Sequence, residues 1–283
     1  MRRARGLLDL TRPGNAVSAA LLTAIGAVVA GSGDASGLIL DVSPPVRAVA
    51  AVLATMLAVG AGNAINDYFD RDIDRVNAPD RPIPRGAVSP RGALAFSGFL
   101  FAAAVVLALV LPALAVAIAV VNLLALVAYT ELFKGLPGVG NALVAYLGGS
   151  TFLFGGAAVG GRLDAVVVLF VLAALATFAR EVVKDVEDVA GDREEGLATL
   201  PIAYGERTAH RVAAIALVIG VLASPAPYVL AGFGVGYLLA VAVADAVMLA
   251  AVYWSFADAT RGQRWLKYGQ LAAAAAFVVG RFV

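Results

Sequence analysis

The chain has 283 residues, of which 61% are apolar and 14% charged, and its mean hydropathy is +0.88. Soluble domains run nearer ~45–50% apolar and ~25% charged, so a water-soluble globule is excluded. The 21 basic and 20 acidic residues leave a net charge of +1, which points to no nucleic-acid partner, and the absence of cysteine removes disulfides, iron–sulfur clusters and thiolate chemistry.

The N-terminal segment, MRRARGLLDLTRPGN, is basic and lacks the apolar core and cleavage site of a signal peptide. A membrane-crossing helix needs about 20 mostly apolar residues. Runs of that kind are expected at 14–31 and 46–66, the second ending in the acidic stretch Asn66-Asp67-Tyr68-Phe69-Asp70-Arg71-Asp72-Ile73-Asp74. A proline-stiffened loop follows, Asp80-Arg81-Pro82-Ile83-Pro84-Arg85-Gly86, which cannot be helical and is placed to fold over the acids as a lid. Spans at 92–111 and 113–130 form a tight hairpin at Pro112, and the short loop YTELFKGLPG carries Tyr129 and Lys134. Next come 139–160, rich in glycine pairs that allow close helix approach, and 164–184. The latter leads into Asp185-Val186-Glu187-Asp188-Val189-Ala190-Gly191-Asp192, expected as part of a loop over 185–209. The last spans are 210–231, 234–257 and 268–283. The single histidine, His210, is expected at a membrane interface, and Asp245 lies at membrane depth.

These runs are continuous rather than alternating, which argues against a membrane barrel. They predict an all-α polytopic membrane protein of nine transmembrane helices. With the N-terminus inside, eighteen of the 21 Lys and Arg fall on inside segments, and only Arg47, Arg162 and Arg281 fall outside. The positive-inside rule therefore places the N-terminus in the cytoplasm and the C-terminus outside. The inside loops 67–91 and 185–209, with the residues beside them, also hold thirteen of the 20 acids.

Both acidic stretches read D-x-x-D-x-x-x-D, offset by 118 residues: Asp67, Asp70 and Asp74 match Asp185, Asp188 and Asp192. Each follows a span running inward, which suggests one domain over 1–283 with a pseudo-repeat of about 14–130 and 139–257 plus a ninth helix. At 100° per residue, Asn66, Asp67, Asp70 and Asp74 fall within about 100° of one another, and Glu181, Asp185, Asp188 and Asp192 within about 60°. Oxygen donors without His or Cys suit a hard cation such as Mg²⁺, which one or two carboxylates hold together with substrate phosphates. A solvated acidic loop paired with nearby arginines accounts for one such cluster far better than for two at identical spacing.

With N-D-x-x-D-x-x-x-D after the second span and D-x-x-D-x-x-x-D after the sixth, the chain resembles the UbiA superfamily of intramembrane prenyltransferases along essentially its whole length. The stretches GNAINDYFDRDIDRVNAPDRPIPRG, REVVKDVEDVAGDREEGLATLP and LTRPGN are most similar to its archaeal ether-lipid branch. The resemblance implies a helical bundle around a central cavity, with Mg²⁺ as cofactor. It implies transfer from geranylgeranyl diphosphate to the free hydroxyl of geranylgeranylglyceryl phosphate. By motif match Asn66, Asp70, Asp74, Asp188 and Asp192 are the expected metal ligands, with Asp67 and Asp185 as further ligands or as groups that orient them. Arg12, Arg81, Arg85, Lys134 and Lys184 are the expected phosphate and diphosphate contacts, and Tyr129 is an aromatic face for cationic character. The alternatives are an aromatic prenyltransferase, acting on 4-hydroxybenzoate or a quinone or haem precursor, and, more remotely, a divalent-cation transporter. A transporter needs acids at mid-membrane in several helices, where Asp245 stands almost alone.

Overall fold

A computed structural model describes residues 2–283, apart from the side chains of Arg2, Arg3, Ile73, Val76, Asn77, Thr130 and Glu131. Among the described residues there is no strand. The chain runs through α1 (Arg2–Leu10), α2 (Pro13–Ala30), α3 (Pro44–Phe69), α4 (Arg71–Asn77), α5 (Pro90–Ala108) and α6 (Ala113–Ala128). After a π-helical turn at Tyr129–Phe133 come α7 (Val139–Val159), α8 (Leu163–Glu194), α9 (Leu200–Tyr204), α10 (Glu206–Ala223), α11 (Ala226–Ala231), α12 (Val235–Ser255) and α13 (Ala259–Phe282).

Among the described residues seven helical stretches are long and apolar enough to cross a membrane: α2, α3, α5, α7, α8, α10 with α11, and α12. The other two expected spans fall on α6, which has 16 residues, and on α13, whose first turns carry Arg261, Arg264 and Lys267. Prolines start α2, α3 and α5 where their missing N–H costs nothing, and the Ser89 hydroxyl caps α5 by accepting from the Gly92 N–H at 3.1 Å.

Small residues set the packing. A Cβ added at Gly26 would meet the Phe152 carbonyl at 2.3 Å, and one at Gly155 would meet the Thr23 carbonyl at 2.0 Å. The pairs Gly26/Phe152, Ala30/Gly156 and, just past the two helix ends, Gly33/Gly160 advance together, so α2 and α7 lie parallel with their backbones nearly touching. The pairs Ser255/Gly262, Met248/Gly269 and Tyr237/Gly280 run in opposite directions, making α12 and α13 an antiparallel hairpin. Phe152, Phe233, Tyr237 and Phe277 meet in the core, and the Phe152 and Phe277 rings pack edge to face at 5.7 Å.

This packing decides which termini share an end. Asn63 of α3 donates to the Thr11 carbonyl just before α2 at 3.0 Å, and Asn141 near the start of α7 donates to Asp185 of α8 at 2.8 Å. Since α2 and α7 are parallel, both acidic stretches lie at one end of the bundle.

The expected inside loops need correction. Asp185, Asp188 and Asp192 stand on α8 itself, which runs 32 residues, or about 48 Å, well beyond a hydrocarbon core of about 30 Å. The segment 67–91 likewise begins on α3 and continues through α4. Hydropathy marks where lipid ends, whereas a helix continues wherever its backbone bonds do.

Candidate active site

The first acidic stretch crosses the α3–α4 junction without losing helical bonding. The Asp70 N–H donates to the Asn66 carbonyl at 2.8 Å and the Asp74 N–H to the Asp70 carbonyl at 2.9 Å. Asn66, Asp70 and Asp74 therefore stay in register on one side, while Asp72 points into solvent and pairs with Arg75. Asp67 and Asp74 are buried, with 2% and 4% of their surface exposed. Carboxylates so deeply placed need compensation. Arg12 donates to Asp67 at 2.6 Å. Arg81 donates to both oxygens of Asp74 at 2.7 and 2.6 Å and stands 3.6 Å from Asp67.

Arg12 occupies the cap of α2 with φ of 46°, the one described non-glycine residue in the left-handed region. Pro13 behind it disfavours a helical backbone at this position, and the strain is held by the ion pair that ties α2 to α3. The proline-stiffened loop brings Arg81 back over α4, and Arg85 closes onto Asp9 of α1.

The second stretch is arranged differently. Asp185 accepts from Asn141, Asp188 accepts from Lys184 at 2.5 Å one turn back, and the Thr199 hydroxyl donates to Asp192 at 3.2 Å. Arg180 and Glu181, adjacent in sequence, pair with each other. Tyr129 opens the π-helical turn, whose widened ring is closed by the Lys134 N–H on the Tyr129 carbonyl at 2.8 Å. That turn carries Tyr129 into the field of Glu181, Lys184, Asp185 and Asp192, and Lys134 to within 3.6 Å of Glu195.

A cavity of about 470 Å³ opens between α2, α3, α7, α8, α10, α12 and α13. Its walls are mostly apolar, with Leu22, Val59, Val144 and Leu172 among them. Its polar mouth is formed by Asn15, one turn along α2 from Arg12, by Arg180, one turn before Lys184, and by Lys267. Both acidic stretches thus flank one entrance. The Gln270 amide donates to Thr177 at 3.4 Å inside the entrance, and Phe152 and Phe277 line the far side, about 15 Å along α13 from Lys267.

Each expected phosphate contact holds a carboxylate here: Arg12 with Asp67, Arg81 with Asp74, Arg85 with Asp9, Lys134 with Glu195 and Lys184 with Asp188. Among the described residues no three acidic or histidine side chains converge closely enough to hold a metal ion by themselves. Both facts fit Mg²⁺, which takes one or two carboxylates from a protein and the rest of its shell from water and phosphate oxygens. The donor set is oxygen alone, and its negative charge is already drawing cations.

His210 is buried at the start of α10. It is 5% exposed, its Nδ1 lies 3.0 Å from the Glu206 carbonyl, and its ring stacks on Phe256. Asp245 is hydrogen-bonded within the bundle. The Ser224 hydroxyl donates to it at 2.6 Å, and the Tyr237 hydroxyl donates to the Ser224 carbonyl at 2.6 Å. Sequence reading missed the Asn141–Asp185 and Thr199–Asp192 contacts, because Asn141 and Thr199 lie outside both acidic stretches and no spacing links them.

A model of the UbiA prenyltransferase family matches residues 19–278. Digeranylgeranylglyceryl phosphate synthase of Natronomonas pharaonis is 65% identical over 99% of this chain and 98% of its own. That of Haloquadratum walsbyi is 59% identical over 99% of this chain and 95% of its own. A solved digeranylgeranylglyceryl phosphate synthase structure, 34% identical, superposes with a TM-score of 0.80 and 99% of each chain covered. A UbiA homolog from Archaeoglobus fulgidus bound to GPP and Mg²⁺ superposes at 0.70, covering 97% of this chain and 98% of its own. At 20% identity it speaks for the fold alone.

Proposed function

Because the chain belongs to the UbiA prenyltransferase family, we propose that it transfers the geranylgeranyl group of geranylgeranyl diphosphate to the free hydroxyl of geranylgeranylglyceryl phosphate. The product carries the second ether bond of an archaeal membrane lipid. One observation carries the reading: two carboxylate-bearing helix ends flank the polar mouth of an apolar cavity.

The allylic carbon–oxygen bond breaks with its electron pair leaving on the diphosphate, and the acceptor oxygen takes its place on that carbon. The hydroxyl proton passes to a carboxylate or to the released diphosphate. Asn66, Asp70, Asp74, Asp188 and Asp192 hold Mg²⁺, with Asp67 and Asp185 orienting them. Bound Mg²⁺ supplies charge stabilisation to the leaving diphosphate. Arg12, Arg81, Arg85, Lys134 and Lys184 are poised to exchange a carboxylate for a phosphate oxygen when substrate arrives. The apolar cavity keeps water from the cationic carbon, and Tyr129 offers it a π face.

The same reading places α6 and α13 across the bilayer as well, for nine crossings of the cell membrane. The N-terminus and the active site face the cytoplasm, and 14–130 and 139–257 form an internal repeat.

Purified protein given geranylgeranyl diphosphate and Mg²⁺ is expected to form diether with geranylgeranylglyceryl phosphate, to form nothing with 4-hydroxybenzoate, and to lose activity in EDTA. Product from the aromatic acid alone would discard the lipid assignment while keeping prenyl transfer. Activity indifferent to EDTA would discard the metal.

A further inference from the structure

The reaction proposed above has two anionic substrates, and the acidic helix ends with Mg²⁺ account for only the diphosphate. Among the described residues lining the cavity there are two cations, Arg180 and Lys267. Every other cation expected to meet phosphate is engaged by a carboxylate. Lys267 makes no ion pair and no hydrogen bond among the described residues. Arg180 turns one nitrogen to Glu181, while its Nε is buried without a hydrogen-bond partner. An unsatisfied guanidinium donor at a cavity wall costs free energy unless a ligand meets it. Asn15 and Gln270 add neutral donors to the same mouth.

We propose that Arg180 and Lys267 receive the phosphate monoester of the acceptor lipid. The assignment rests on the acceptor being a prenylated glyceryl phosphate, as argued above. A monoester carries nearly two negative charges at neutral pH, which one guanidinium and one ammonium match. The position also suits the chemistry. Arg180 stands about 7.5 Å along α8 from Asp185, so a phosphate held there sets the adjacent glycerol carbon and its hydroxyl toward the acidic helix ends where the allylic carbon is released. The acceptor phosphate is kept apart from those carboxylates, and the two substrates do not compete for one set of charges.

The test is steady-state transfer by the purified full chain with Mg²⁺, comparing wild type with Lys267→Met, Lys267→Arg and Arg180→Gln. Geranylgeranylglyceryl phosphate and geranylgeranyl diphosphate are varied separately, and unphosphorylated geranylgeranylglycerol serves as a second acceptor. Lys267→Met is expected to raise KM for the phosphorylated acceptor about tenfold, the loss of one charge-assisted contact, with KM for the diphosphate within about twofold. Lys267→Arg restores the value. Preference for the phosphorylated over the unphosphorylated acceptor collapses in Lys267→Met and Arg180→Gln. A variant that fails to fold loses both substrates together, so an unchanged diphosphate KM marks a folded protein. An unchanged acceptor KM in both charge-removing variants overturns the assignment, as does a rise confined to the diphosphate. A wild type that prenylates only 4-hydroxybenzoate overturns the functional reading itself, a result separate from diether formation that is indifferent to Lys267.

Discussion

Asp67 and Asp74 are nearly inaccessible, yet each is satisfied by an arginine from another segment. Removing one member of such a pair leaves a buried charge uncompensated, which costs more than the pair contributes. Arg81→Ala is therefore expected to raise the apparent KM for a phosphorylated substrate and also to lower thermal stability in detergent. A KM at the wild-type value would confine Arg81 to a structural role. Asp70→Ala and Asp188→Ala, by contrast, remove carboxylates outside the buried set. They are expected to abolish transfer while the protein still elutes as a folded species, and near-normal rates in both would sink the metal assignment. Asp245 accepts from Ser224 in the cavity wall. Asp245→Ala strands the Ser224 hydroxyl and is expected to cost about 1–3 kcal/mol, read as a lowered unfolding midpoint.

At the scale of elements, the glycines of α2 and α7 separate close packing from mere composition. Gly155→Leu drives a side chain into the Thr23 carbonyl and is expected to destabilise by at least about 1–3 kcal/mol. Gly98→Ala on α5 meets nothing within 4 Å and removes helix-interior glycine, so it is expected to stabilise by about 0.5–1 kcal/mol. Equal effects at the two sites would mean that α2 and α7 do not approach as closely as their backbones indicate. The same scale explains what sequence reading drew wrongly. The stretch Asp185–Asp192 is charged, and charge reads as loop in a membrane chain. Yet no proline interrupts it, and α8 carries it as helix into water. The angular reading of its acids depended on that helix, so the geometry was legible even where the loop boundary was not.

For the molecule as a whole, orientation is the boldest inference drawn from charge alone. The chain has no cysteine, so single introduced thiols report without background. An impermeant thiol reagent is expected to label Ser36→Cys on intact cells and to label Ala198→Cys only after lysis. The reverse pattern would invert the topology and put the acidic helix ends outside.

The sequence by itself determined that this chain is a helical membrane protein, which residues form the two acidic stretches, and that both recur at one spacing. Those properties live in hydropathy and in separations of a few residues, where a helix converts spacing directly into angle. Charge asymmetry already put both stretches on one face of the membrane, whereas only the tertiary structure decided that α2 and α7 lie parallel and nearly touching, Gly26 against Phe152 and Gly156 against Ala30. It also decided the partners: Arg12 with Asp67 across 55 residues, Asn141 with Asp185 across 44, and Ser224 with Asp245 across 21. Contacts at such separations depend on how helices pack, and no local pattern carries that information.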